Sequence, residues 1–206
     1  MMRTLILLPI LLLLGCGATK QLDTMKDMNA QGAFAALAQQ QVDCRTPDLA
    51  CSQMHELKAD ACLREGRREA RPGGSLRAAP PLFACAVQSY DFALVALPAG
   101  RGQDATRLRT GLLGALRERR DHGGDVRALN ERMIAEAATL RPAAPLVADF
   151  YEATGRFGRA MLDRSAARCP ELATAARLLD RPPPPELAPS WDGLRRAVTA
   201  ERGGCA

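Results

Sequence analysis

From Ala33 onward the apolar residues recur at i, i+3, i+4 and i+7, and no stretch alternates in the manner of a half-buried strand. The pattern predicts helices throughout, and punctuation residues set their limits. A short Ala-rich helix is expected over 33–42. Thr46 as N-cap and Pro47 in the first position begin the next, which runs to about Arg67. A loop with Pro72, Gly73 and Gly74 follows, and Pro80 and Pro81 open a helix ending near Pro98. Asp104 caps a helix that reaches about Asp121, where His122-Gly123-Gly124 breaks it. Asp125 caps another that stops before Pro142. Pro145 begins a helix ending at Gly155, with 156–168 as its partner, and Pro170 opens one to about Asp180. Arg181 leads into Pro182–Pro185, a stiff polyproline stretch, and a last helix runs from Ser190 to about Glu201. The expected fold class is all-α, built of short antiparallel helix pairs.

The amino-terminal end follows another pattern. Met1, Met2 and Arg3 carry one positive side chain, and Leu5–Leu14 form an apolar run broken only by Pro9. At about ten residues this run is half the length that spans a bilayer, so it reads as the core of a secretory signal. Its end, Leu13-Leu14-Gly15-Cys16, resembles the bacterial lipobox. The resemblance implies removal of residues 1–15 and diacylglyceryl attachment to the Cys16 thiol, with acylation of the new amino end. Several acyl chains at ~0.8 kcal/mol per buried CH₂ hold a protein at a membrane. Residue 17 is Gly rather than Asp, which among Gram-negative lipoproteins implies the outer membrane, facing the periplasm. Residues 17–30 are polar and weakly patterned, and 16–32 are expected as a flexible tether.

Paired helices invite a search for repeats. Ala86, Tyr90, Ala93, Leu94 and Pro98 fall at relative positions 0, 4, 7, 8 and 12. This spacing resembles the second helix of a tetratricopeptide repeat. The segment from Leu57 to Arg67 is similar to its first helix, with Ala59 at the small position, Cys62 at the aromatic one and Gly66 at the turn. A second unit pairs 104–121 with 125–142, with Leu113 and Leu116 in its first helix and Ile134, Ala137 and Pro142 in its second. A third carries Ala148, Tyr151, Gly155-Arg156-Phe157 and Ala160. Departures are visible too: 68–80 and 121–125 are insertions, Lys58 stands at an apolar position, and Asn130 at a small one. The resemblance covers about residues 47–168; together with the helix punctuation it gives a helical-repeat domain over 33–180, a Pro-rich linker over 181–189, and a capping helix and tail over 190–206. It also places Asp60 and Asp149 at equivalent positions lining a concave groove, with Leu63, Arg64, Arg117 and Glu152 nearby. Grooves of that family bind extended peptides or partner helices.

Composition changes this picture in three places. The 191 residues left after removal of 1–15 suffice for one domain with a core. Basic residues exceed acidic ones, 28 to 23, but 25 are Arg and the chain has 37 Ala, a bias of GC-rich coding. With no basic run interleaved with aromatics, no nucleic-acid partner is expected. Beyond Cys16, six cysteines remain: Cys44, Cys51, Cys62, Cys85, Cys169 and Cys205. An even number outside the cytoplasm implies three disulfides. Fifteen pairings are possible and the sequence alone does not choose among them; the ease of closing short loops favours Cys44–Cys51, Cys62–Cys85 and Cys169–Cys205. The rival use of Cys44, Cys51 and His55 as metal ligands rests on a C-x6-C-x3-H spacing that matches no common zinc pattern and lacks a fourth ligand.

Catalytic signatures are missing. The sequence has no G-x-S-x-G elbow, no H-E-x-x-H helix, no P-loop and no dinucleotide fingerprint. His122 lies in a Gly-rich turn, and His55 falls one turn after Cys51, where packing is the expected role. Trp191, Leu194 and Val198 recur at i, i+3 and i+7 and are expected to dock the last helix on the domain. No catalytic residue, metal or cofactor is expected. The sequence thus points to a membrane-held, non-enzymatic adaptor that binds a protein partner in an envelope assembly of the secretion, pilus or outer-membrane biogenesis type. The alternative is a periplasmic lipoprotein that binds a small molecule or peptide beside a transporter.

Overall fold

The computed structural model describes residues 16–44, 46–163, 165 and 167–205. Among them are the α-helices α1 (Cys16–Ala30), α2 (Phe34–Gln39), α3 (Leu49–Glu69), α4 (Ala79–Ala96), α5 (Gly102–Asp121), α6 (Val126–Leu140), α7 (Pro145–Leu162), α8 (Arg168–Leu178) and α9 (Ala188–Arg202), and no strand among the described residues. The all-α class holds. The signal segment 1–15, with the lipobox residues Leu13, Leu14 and Gly15, lies outside the described residues.

Local chemistry explains most boundaries. Asp125 caps α6 as its position implies, accepting from the Ala128 amide at 3.1 Å. Pro145 starts α7, and Pro80 and Pro81 sit in the first turn of α4, where helix N–H groups lack partners in any case. The turn between α5 and α6 passes through Gly123 at φ +113°, a conformation that glycine adopts without a Cβ penalty. The start of α3 differs from expectation. Asp48, rather than Thr46, is the cap, and its carboxylate accepts from the Cys51 amide at 2.8 Å.

Two larger differences stand out. Residues 17–30, read as a tether, are helical, because Leu22 and Met25, three residues apart, give α1 an apolar stripe that is buried. The stripe is too sparse to dominate a polar sequence, which is why it escapes a reading by pattern. The helix expected to end at Gly155 instead continues to Leu162. Gly155 is buried within α7, and its missing side chain serves close approach rather than a turn.

The chain divides into two compact units between Leu108 and Arg109. In the first, α3 and α4 run antiparallel: Ser52 meets Ala93, Asp60 meets Tyr90, Cys62 meets Cys85 and Gly66 meets Phe83. Ala59, Ala86 and Ala93 are fully buried, so the helix axes approach closely. A Cβ on Gly66 would lie 2.6 Å from Phe83 Cε1, so this residue fits the helix contact rather than the turn expected of it. α2 crosses the other side of α3, also antiparallel, with Lys58 Nζ donating to the Gln40 carbonyl at 2.7 Å and Arg64 over Phe34.

In the second unit α6 and α7 run antiparallel from Asn130 against Gly155 and Gly158 to Arg141 against Asp149. α8 joins α7 through Glu171, which pairs with Arg156 at 2.9 Å and Arg159 at 3.1 Å. α9 returns along α8. Trp191 is fully buried, stacks on Phe150 with ring centres 6.0 Å apart, and donates from Nε1 to the Leu179 carbonyl at 3.1 Å. The last helix is therefore docked, as its Trp191-Leu194-Val198 spacing implies. All three disulfides form in the short-loop pairing: Cys44–Cys51, Cys62–Cys85 and Cys169–Cys205.

Candidate functional site

The residues assigned to a groove are occupied within their own units. In the first unit Leu63 is buried at 8% exposure and belongs to the core. Asp60 accepts a hydrogen bond from the Tyr90 hydroxyl, across to α4. Arg64 lies with its guanidinium carbon 4.7 Å above the Phe34 ring, a cation–π contact that covers this part of α3 with α2.

In the second unit Arg117 lies 5.6 Å over the Phe150 ring, whereas Asp149 and Glu152 join an ionic chain. Arg141, just beyond the end of α6, pairs with both acids. Arg181 reaches Asp149 at 3.2 Å, and Arg156 reaches Glu152 at 2.7 Å. The Asp149 side chain is 2% exposed. A carboxylate so far from water persists only when paired and hydrogen-bonded, and the two arginines provide that pairing. Asp149 is thus a structural anchor joining the α6–α7 turn to the stretch after α8. Arg141 and Arg181 escaped the sequence reading because nothing local marks an arginine as the partner of an acid 8 or 32 positions away.

The surface offers two other features. On the outer side of α4, Phe92 and Val95 are 48% and 76% exposed, three residues apart and so neighbours on one helix face. The His55 ring of α3 tilts against Phe92 with centres 5.1 Å apart. Burial first, and then the charge of Lys58, hold the His55 imidazole below its ordinary pKa. Its Nδ1 is buried without a hydrogen-bond partner. One turn earlier on α3 lies Cys51. The ligand atoms of Cys44, Cys51 and His55 all fall within 4.8 Å of one another, with both sulfurs joined in the disulfide. The second feature is an open cleft of about 410 Å³ along α8 and α9, lined by Arg177, Asp180, Arg195, Thr199 and Arg202. Arg195 is tied down there, its Nε donating to the Leu179 carbonyl at 2.9 Å.

No protein family, characterised protein or solved structure matches this chain significantly. Among the described residues no helix is long and apolar enough to cross a membrane.

Proposed function

We propose that the chain is a lipid-anchored, non-enzymatic adaptor whose helical surface binds a protein partner in a bacterial cell-envelope assembly. The anchor is Cys16, acylated after removal of residues 1–15, and the location is the periplasmic face of the outer membrane. The observation that carries the adaptor role is the exposed pair Phe92 and Val95 on α4. Two large apolar side chains held on one rigid helix face, backed by the His55 ring, offer the kind of anchor that a partner helix or loop can bury. The charged candidates Asp149 and Glu152 are already paired with arginines of the same unit, so the reading rests on the apolar pair instead.

Crosslinking in intact cells, followed by purification from membranes, tests the proposal. Wild type is expected to recover an envelope protein in stoichiometric amount, and Val95→Glu or Phe92→Glu to lose it with the thermal transition unchanged. Equal recovery by the variants overturns the assignment of the face. Recovery of no envelope protein overturns the adaptor role.

A second reading, an accessory that binds an acidic small molecule or peptide, is favoured by the arginine-lined α8–α9 cleft. It predicts a thermal shift with a carboxylate-rich peptide that Arg177→Ala abolishes.

A further inference from the structure

The cluster at the start of α3 has ligand chemistry that its disulfide conceals. Cys51 and His55 are four residues apart on α3, so both project from one face of a rigid helix. Cys44 comes from the irregular stretch that precedes the helix. The three donors lie within 4.8 Å of one another, and His55 Nδ1 is a buried nitrogen with no hydrogen-bond partner. Among the described residues this is the one group of three or more His, Cys, Asp or Glu side chains with that proximity. We propose that reduction of the Cys44–Cys51 disulfide opens a two-thiolate, one-imidazole site for Cu(I), with Cys44, Cys51 and His55 as its ligands. The inference stands independently of the adaptor role.

The donor set selects the ion. Thiolates favour Cu(I) and Zn(II) among the common metals. Zn(II) holds a two-cysteine, one-histidine set only with a fourth ligand, a water or a further protein group, whereas Cu(I) is satisfied by two thiolates and one imidazole in a trigonal arrangement. Bonds of roughly 2.0–2.3 Å to each donor require the two sulfurs to move apart by about 1.5–2 Å from their bonded separation. That movement falls to Cys44, because Cys51 and His55 are fixed by the helix. Cys51 occupies the third position of α3, and a thiolate there faces the positive end of the helix dipole. The Asp48 carboxylate that caps the same turn offsets this field, and the direction of attack follows access, Cys51 being buried and Cys44 half-buried.

The chemistry balances with a dithiol as reductant. One thiolate of the dithiol attacks Cys44 Sγ, the S–S bond breaks, and its electron pair leaves with Cys51 Sγ. The second thiol of the reductant then attacks the mixed disulfide, closes its own ring and releases Cys44 as a thiol. The dithiol supplies two electrons and two protons and becomes a cyclic disulfide. Cu(I) then takes the place of the protons on both sulfurs, without change in its oxidation state.

Anaerobic titration of the full chain with Cu(I) against a chromophoric chelator tests the proposal, using protein reduced by limited dithiol and mapped by mass spectrometry. Cys44–Cys51 is expected to be the first disulfide to open, and the reduced chain to bind one equivalent that the oxidised chain does not. His55→Ala is expected to weaken binding by at least about ten-fold, comparable with the loss of a supporting group at a metal site. The oxidised form of that variant, checked by its thermal transition, shows that the fold is kept. X-ray absorption of the loaded wild type should show two sulfurs and one nitrogen around copper. Unchanged affinity in His55→Ala, all-sulfur coordination, equal binding by the oxidised chain, or tighter binding of Zn(II) than of Cu(I) each overturns the assignment.

Discussion

The hydroxyl of Tyr90 on α4 donates to a carboxylate oxygen of Asp60 on α3. Tyr90 is buried and Asp60 half-buried, so the bond crosses the helix pair where little water reaches it. Tyr90→Phe removes the donor and leaves the carboxylate partly desolvated. We expect a loss of about 1–3 kcal/mol, the usual consequence of stranding one partner of a buried bond. Denaturant unfolding followed by circular dichroism checks this, and a midpoint equal to wild type would refute it. Asp60→Asn keeps an acceptor and is expected to cost less than Tyr90→Phe.

The disulfides should rank by the length of chain they close. Cys44–Cys51 spans a sequence separation of 7 and Cys169–Cys205 one of 36. In the loop-entropy description these are worth about 2.5 and about 4 kcal/mol respectively. Paired Ser substitution at Cys169 and Cys205 is therefore expected to lower the unfolding midpoint more than the same change at Cys44 and Cys51. The carboxyl-terminal bridge also holds α9 where Trp191 is buried. The reverse ranking in thermal melts would contradict the account.

These elements separate what sequence reveals from what it conceals. Helix period, Asp125, Pro145 and the three short-loop disulfides are local or nearly local signals, and the structure follows them. Gly155 misleads because one residue type serves two purposes, ending helices and letting them touch, and only the neighbour decides between them. α1 is concealed because a polar segment with two buried apolar residues resembles a tether until something covers Leu22 and Met25. At the candidate site Asp149 and Glu152 both lie on α7, three residues apart. The arginines that neutralise them come from the end of α6 and from beyond α8. Phe92 and Val95 carry no mark in the sequence, because exposure of an apolar residue in an Ala-rich helix has no periodic signature.

Two glycines within helices should respond to alanine with opposite sign. At Gly155 an added Cβ would lie 2.8 Å from the backbone oxygen of Asn130 and 2.9 Å from Ile134 Cγ1. The backbone of α6 cannot yield cheaply, so Gly155→Ala is expected to destabilise by about 1–3 kcal/mol. At Gly193, inside α9, an added Cβ meets nothing within 4 Å. Gly193→Ala is expected to stabilise by about 0.4–1 kcal/mol through the unfolded chain. Calorimetry of the two variants decides the matter: a stabilised Gly155→Ala would show that α6 and α7 are not packed as described, and a destabilised Gly193→Ala that the space beside Gly193 is not open.

Glu69 gives the loop after α3 a dependence on acid. Its carboxylate accepts from the Ser75 amide at 2.9 Å and from Arg68 Nη2 at 2.8 Å. The amide bond is the largest cause holding this carboxyl below its ordinary value, with Arg68 next. A carboxyl depressed in the folded state contributes fully above its unfolded pKa, and the contribution is lost as pH falls through the lower folded value. The closure of residues 70–75 should therefore persist at neutral pH and release only below about pH 4.3, the ordinary range for Glu. The amide resonance of Ser75 is expected to titrate with a midpoint below that value, moving toward a solvent-exposed shift as acid is added. Glu69→Gln should abolish the titration and leave the Ser75 amide less protected from exchange at neutral pH. A Ser75 midpoint at or above the ordinary Glu value would show that the carboxylate is not held by this amide.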